Sequence, residues 1–112
     1  MKYAIPVSGG LLSAHFGHCE HFALFDVDEP NKKIINQELA PAPAHQPGLL
    51  PVWLAEQGVS LVIAGGMGAH AQSLFQQHRI GVVIGVGEMD PEQAVLSHLE
   101  GTLVSGDNTC DH

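Results

Sequence analysis

Val59-Ser60-Leu61-Val62-Ile63-Ala64-Gly65-Gly66-Met67-Gly68-Ala69-His70 decides the fold of this chain. Residues 59–64 form an apolar run without strict alternation, the pattern of a strand covered on both faces. Three glycines interrupt it, and residues 69–78 then read as a helix, so the segment is strand, glycine turn, helix. Strands joined through helices pack as parallel neighbours with right-handed crossovers. At such a turn backbone N–H groups can approach an anion with no side chain in the way, and the positive end of the helix dipole points to the same place.

The flanking segments extend this unit on both sides. Upstream, Leu49, Leu50, Trp53 and Leu54 make an apolar stripe on a helix that stops at Gly58. Downstream, residues 81–84 are a strand, and Asp90-Pro91-Glu92 supply the N-cap and first two positions of a third helix that ends before Gly101. Near the N-terminus, residues 3–7 read as a short buried strand and residues 8–20 as a loop. Residues 22–27 and 33–39 form an antiparallel hairpin around Asp28-Glu29-Pro30-Asn31. Pro41, Pro43 and Pro47 keep residues 40–47 out of helix and hold His45 in an ordered loop.

The order is therefore βββαβαβα. It predicts a three-layer α/β domain over residues 1–105, a mixed five-stranded sheet of order 3-2-1-4-5 with helices on both faces, and a short tail over 106–112. Strands one and four then lie side by side where the chain departs in opposite directions, the switch point at which such sheets bind ligands. The loop 8–20 and the turn 65–68 are expected to meet there.

Composition narrows the partners. A chain of 112 residues is one domain, and folding should bury roughly 65% of its unfolded surface. Twelve Asp and Glu against Lys2, Lys32, Lys33 and Arg79 give a net charge of −8, which repels phosphate backbones and argues against nucleic acid. No apolar segment approaches the ~20 residues that span a bilayer, and residues 1–6 lack a signal core, so a cytoplasmic protein without a membrane partner is expected. Two cysteines make a poor disulfide framework.

Ligand-type side chains cluster instead. His15-Phe16-Gly17-His18-Cys19-Glu20-His21 places three imidazoles and a thiol within seven residues, spacings short enough to converge on one soft or borderline metal. Cys110-Asp111-His112 adds another thiol and imidazole, and at about 3.3 Å per extended residue the tail is long enough to return to the crevice. His70, His78 and His98 read as solvated helix residues, and His21 as the start of the second strand. Gly66-Met67-Gly68-Ala69-His70-Ala71 fits a G-x-G-x-x-A pattern with Glu88 downstream, but a dinucleotide domain needs two mononucleotide halves and the antiparallel start spoils that topology. A Mg²⁺ nuclease on such a sheet needs carboxylates on strands one and four, which have none, and Ser8 and Ser13 lack a recognisable base–acid pair.

Lys2-Tyr3-Ala4-Ile5-Pro6-Val7, the loop His15-Phe16-Gly17 and Val62-Ile63-Ala64-Gly65-Gly66-Met67-Gly68 resemble the dinitrogenase iron-molybdenum cofactor biosynthesis family, which includes NifX-type carriers and the small domain at the end of NifB. Residues 47–54, 56–59 and the closing Cys110-Asp111-His112 are similar to a stand-alone branch of it. The resemblance covers nearly the whole chain. It implies a ribonuclease H-like fold and a non-enzymatic accessory protein that binds or carries an iron–sulfur or molybdenum-containing cluster, including molybdenum–iron or molybdenum–copper sulfide types, between donor and acceptor proteins. It also makes His15 the family's loop histidine and Gly65-Gly66-Met67-Gly68 its glycine turn.

The expected cluster-binding residues are Ser8, His15, Phe16 and Gly17 on the first loop and Gly65, Gly66, Met67 and Gly68 on the turn. The expected metal ligands are His15, His18, Cys19, His45, Cys110 and His112. Direct ligation and binding by backbone N–H groups both remain open, as does Met67's role between packing and covering the ligand. Two other readings stand beside this one: a module holding a single Zn²⁺, Ni²⁺ or Cu ion, and a silent interaction domain that docks through its apolar helix faces. The outer strand, 33–39, leaves an edge through which a homodimer can form.

Overall fold

A computed structural model of the chain describes residues 1–13, 16, 19–43 and 48–103. Its elements are β1 (Lys2–Ser8), β2 (Leu11–Leu12), β3 (His21–Asp28), β4 (Lys33–Pro41), α1 (Leu49–Glu56), β5 (Leu61–Ile63), α2 (Ala69–Gln77), β6 (Gly81–Val83) and α3 (Pro91–Glu100). The main strands lie in the order β4-β3-β1-β5-β6, and β2 pairs with β1 off this path. β1 pairs antiparallel with β3 (Ala4 opposite Leu24) and parallel with β5 (Ala4 opposite Val62), while β5 and β6 are parallel. The sheet is mixed, as expected: β1, β3 and β4 follow one another without a helix and alternate in direction, whereas the connections through α1 and α2 bring β5 and β6 in parallel to β1.

The sheet has six strands and not five. β2 lies inside the segment expected to be irregular, with Ser8 opposite Leu11 and Val7 opposite Leu12. Between them Gly9 and Gly10 both have positive φ, 62° and 83°. A two-residue hairpin turn needs that left-handed backbone at both central positions to follow the twist of its strands, and Gly-Gly supplies it without a Cβ clash. β4 also runs further than expected, to Pro41, which pairs with His21 on the sheet's outer strand, where a missing N–H costs no ladder bond.

Alternation along the strands builds two cores. Ala4, Phe22, Leu24 and Val62 face α1 and α2, and meet Leu50, Leu54 and Phe75. Tyr3, Ile5, Phe25 and Ile63 face the other way, toward Ala94 and Val95 of α3. Helices thus cover both faces, giving the three layers. α3 starts as its sequence indicates: the Asp90 side chain accepts a hydrogen bond from the Gln93 N–H at 3.1 Å, and proline occupies the first turn. None of the described helices is long and apolar enough to cross a membrane.

One histidine departs from expectation. His98 is half-buried, its ring set edge-on to Tyr3 with centroids 5.5 Å apart. The phenol of Tyr3 donates a hydrogen bond to Glu29, which ties the hairpin tip to β1. Burial and the Glu29 carboxylate together push Tyr3's ionisation far above the ordinary phenol range.

Candidate functional site

β1 and β5 are parallel neighbours at the centre of the sheet, so their carboxyl ends open side by side. Beyond Ser8 the chain turns through β2, and the Ser13 N–H donates back to the Pro6 carbonyl at 2.7 Å. Beyond Ile63 it enters Ala64-Gly65-Gly66-Met67-Gly68 and then α2. Among the described residues the two loops meet at a backbone bond: the Phe16 N–H donates to the Gly66 carbonyl at 2.9 Å. That contact places the first loop against the glycine turn, as expected from the switch-point argument.

Each loop is anchored from below by one side chain. Phe16 is 5% exposed and packs edge-on against Phe22 and Phe75, with centroids 5.8 and 5.3 Å away. Met67 is 1% exposed and belongs to the same apolar cluster. Phe16 and Met67 therefore hold the loops in place through the core.

Further hydrogen bonds stiffen the turn. The Gly85 N–H donates to the Gly65 carbonyl at 2.5 Å, the Val86 N–H to the Ala64 carbonyl at 3.2 Å, and the Gln72 side-chain amide to the Met67 carbonyl at 2.9 Å. Gly65 and Gly66 are buried and Gly68 is half-buried. Gly68 is the N-cap of α2, with no side-chain cap on that helix end and no acidic residue in its first turn. Its φ of −66° and ψ of 154° suit any residue, and a Cβ built there would meet nothing within 4 Å. Neither backbone conformation nor packing requires a glycine at this position.

The remaining expected residues divide into two groups. Ser8 ends β1 at the mouth of the crevice and is half-buried. Cys19 is a free, half-buried thiol packed against the apolar cluster; burial pushes its pKa up to about 11, with backbone hydrogen bonds opposing the shift, so it is a protonated thiol at neutral pH. The Glu20 N–H donates to the Val7 carbonyl, the Ala42 N–H to the Glu20 carbonyl, and the Gly9 N–H to the Glu20 carboxylate, so the ends of the first loop and of the proline segment converge on β1. His15, Gly17, His18, His45, Cys110 and His112 lie outside the described residues, as does the expected tail. Among the described residues no three His, Cys, Asp or Glu side chains are grouped to hold a metal. The structure also shows the Gly9-Gly10 turn bonded to Glu20, and the Gly-Gly pair flanked by Val7-Ser8 and Leu11-Leu12 is the sequence signal for that hairpin.

The sequence and fold are similar to those of known proteins. The chain is 36% identical over 108 residues to an uncharacterized protein of Methanocaldococcus jannaschii, MJ0580, covering 92% of this chain and 89% of that protein. Its fold is similar to the crystal structure of PH0822, with a TM-score of 0.86 at 27% identity and 94% of each chain covered. It is also similar to the apo form of the orange protein from Desulfovibrio gigas, with a TM-score of 0.75 at 22% identity, covering 96% of this chain and 93% of that one. The family model for dinitrogenase iron-molybdenum cofactor matches residues 1–101, taking in β1, the first loop, the glycine turn and all three helices, and the chain belongs to that family.

Proposed function

We propose that this protein binds or carries an iron–sulfur or molybdenum-containing sulfide cluster, as a non-catalytic accessory in cluster assembly or delivery. The observation that carries this reading is the Phe16 N–H to Gly66 carbonyl bond, because it sets the histidine-bearing loop beside the glycine turn at the sheet's switch point. Family membership supports a cofactor-associated role.

The chemistry of the donor set fits such a cargo. Sulfide-bridged clusters are anionic, and the N-terminus of α2 behind Gly68, which no side chain caps, offers them backbone N–H groups and the positive end of a helix dipole. Imidazole and thiolate suit iron, copper and molybdenum–sulfide centres better than Mg²⁺ or Ca²⁺. In this reading Ser8, Gly17, Gly65, Gly66 and Gly68 supply backbone contacts, Phe16 and Met67 hold the walls, and His15 is the first ligand, with His18, Cys19, His45, Cys110 and His112 completing the set. The fold is assigned to the ribonuclease H-like class, residues 106–112 act as a ligand-bearing tail, and donor and acceptor proteins in the cytoplasm are the partners.

Anaerobic reconstitution with iron and sulfide, with and without molybdate, tests the proposal. Retained colour, metal and acid-labile sulfide after desalting are expected, and His15→Ala should lower all three. A colourless protein that keeps no metal refutes it, and one ion per chain bound without sulfide replaces the cluster with a single-metal site.

A further inference from the structure

We propose that β4 pairs antiparallel with β4 of a second copy, with the two-fold axis passing through Gln37. β4 is the outermost strand on its side of the sheet and, at nine residues, three times the length of β5 or β6. Among the described residues no strand pairs with this edge, which presents unpaired N–H and C=O groups. Ile35 is 70% exposed and Leu39 is 59% exposed, apolar side chains of a kind that edges usually replace with charge. Ile35 also lacks a partner on β3, because the register shifts by one residue between Asp26 and Val27.

The occupant follows from the symmetry of the strand. A two-fold axis normal to a sheet keeps every side chain on its own face, so it must pass through a residue, and residue i then opposes the residue reflected about that centre. With Gln37 at the centre, Ile35 opposes the partner's Leu39 and Leu39 opposes the partner's Ile35, so both exposed apolar side chains are covered twice over. Glu38 opposes the partner's Asn36, an amide that can donate to it. Centring on Glu38 would set two carboxylates against each other, and centring on Asn36 would put Ile35 opposite the partner's Gln37. β4 carries one Lys and one Glu, so two chains of charge −8 can approach along it without opposing like charges.

The test is the oligomeric state of the full chain. Sedimentation at rising concentration should show a monomer–dimer equilibrium that shifts toward dimer as salt screens the repulsion between the two −8 chains. Ile35→Lys, at an exposed position, should abolish the dimer and leave the thermal melt unchanged. Gln37→Cys should form a covalent dimer under mild oxidation beyond any seen for the wild type, whereas Glu38→Cys should not. At this register the two Glu38 positions are diagonal neighbours about 7–8 Å apart, too far for a disulfide. A monomer at every concentration, a dimer that survives Ile35→Lys, or equal cross-linking through Glu38→Cys overturns the proposal.

Discussion

Gly68→Ala separates a glycine kept for folding from a glycine kept for a ligand. Alanine fits the observed φ and ψ, and its methyl group meets no atom within 4 Å. Two small stability terms then oppose each other. Removing the glycine's freedom in the unfolded chain stabilises by about 0.4–1 kcal/mol. Alanine is the poorer N-cap and costs about 0.5–1 kcal/mol. The net change should lie within about 0.5 kcal/mol, a melting shift of about 2 °C for a domain of this size. If a cluster rests on the N–H groups behind Gly68, the same methyl group stands in its approach. The loss of about 1.4 kcal/mol of contact would weaken retention about tenfold. The assay pairs thermal melts with metal and sulfide content after anaerobic reconstitution and desalting. Wild-type retention in a normally stable Gly68→Ala protein refutes the placement of the cargo on this turn. A melting drop several times larger than expected shows that the glycine serves the fold after all.

Other expected outcomes test the supporting structure. Phe16→Leu should cost about 1–2 kcal/mol in urea unfolding and Phe16→Ala about 3–5 kcal/mol, since Phe16 is a core residue despite its place in a loop. Tyr3 is the chain's single tyrosine, and its folded-state ionisation is raised, so the stability it contributes is present below the unfolded phenol pKa and lost as pH rises above about 10. Absorbance titration should therefore show no phenolate before unfolding, and a phenolate appearing in folded protein near pH 10 would contradict the Glu29 hydrogen bond. Asp28 is held below the ordinary carboxylate range by the Asn31 side chain and N–H, so its contribution is present above the unfolded pKa and lost as pH falls through and below about 4. Asp28→Asn should flatten the acid limb of the stability curve, which circular dichroism melts across that range would detect.

Much of this molecule was legible locally. Asp90 and Pro91 announce α3 because a cap is a contact within three residues, and Asp28-Glu29-Pro30-Asn31 announces the β3–β4 hairpin because a turn is built from its own side chains. The glycine run 65–68 marks the crevice for the same reason: removing Cβ atoms is a property of the residues themselves. β2 escaped notice because a two-residue strand has no period to read, although Gly9-Gly10 carried its turn.

Direction and depth were settled only by the tertiary structure. The depth of a loop phenylalanine and a turn methionine is one example: Phe16 packs edge-on against Phe22 and Phe75, and Met67 joins the same apolar cluster. His98 read as solvated until β1 brought Tyr3 against it from 95 residues away in the chain. Turns and caps depend on neighbours a few residues apart, so the sequence by itself determines them. Which face of a residue is buried depends on packing between distant segments, and that only the assembled sheet and its helices decide.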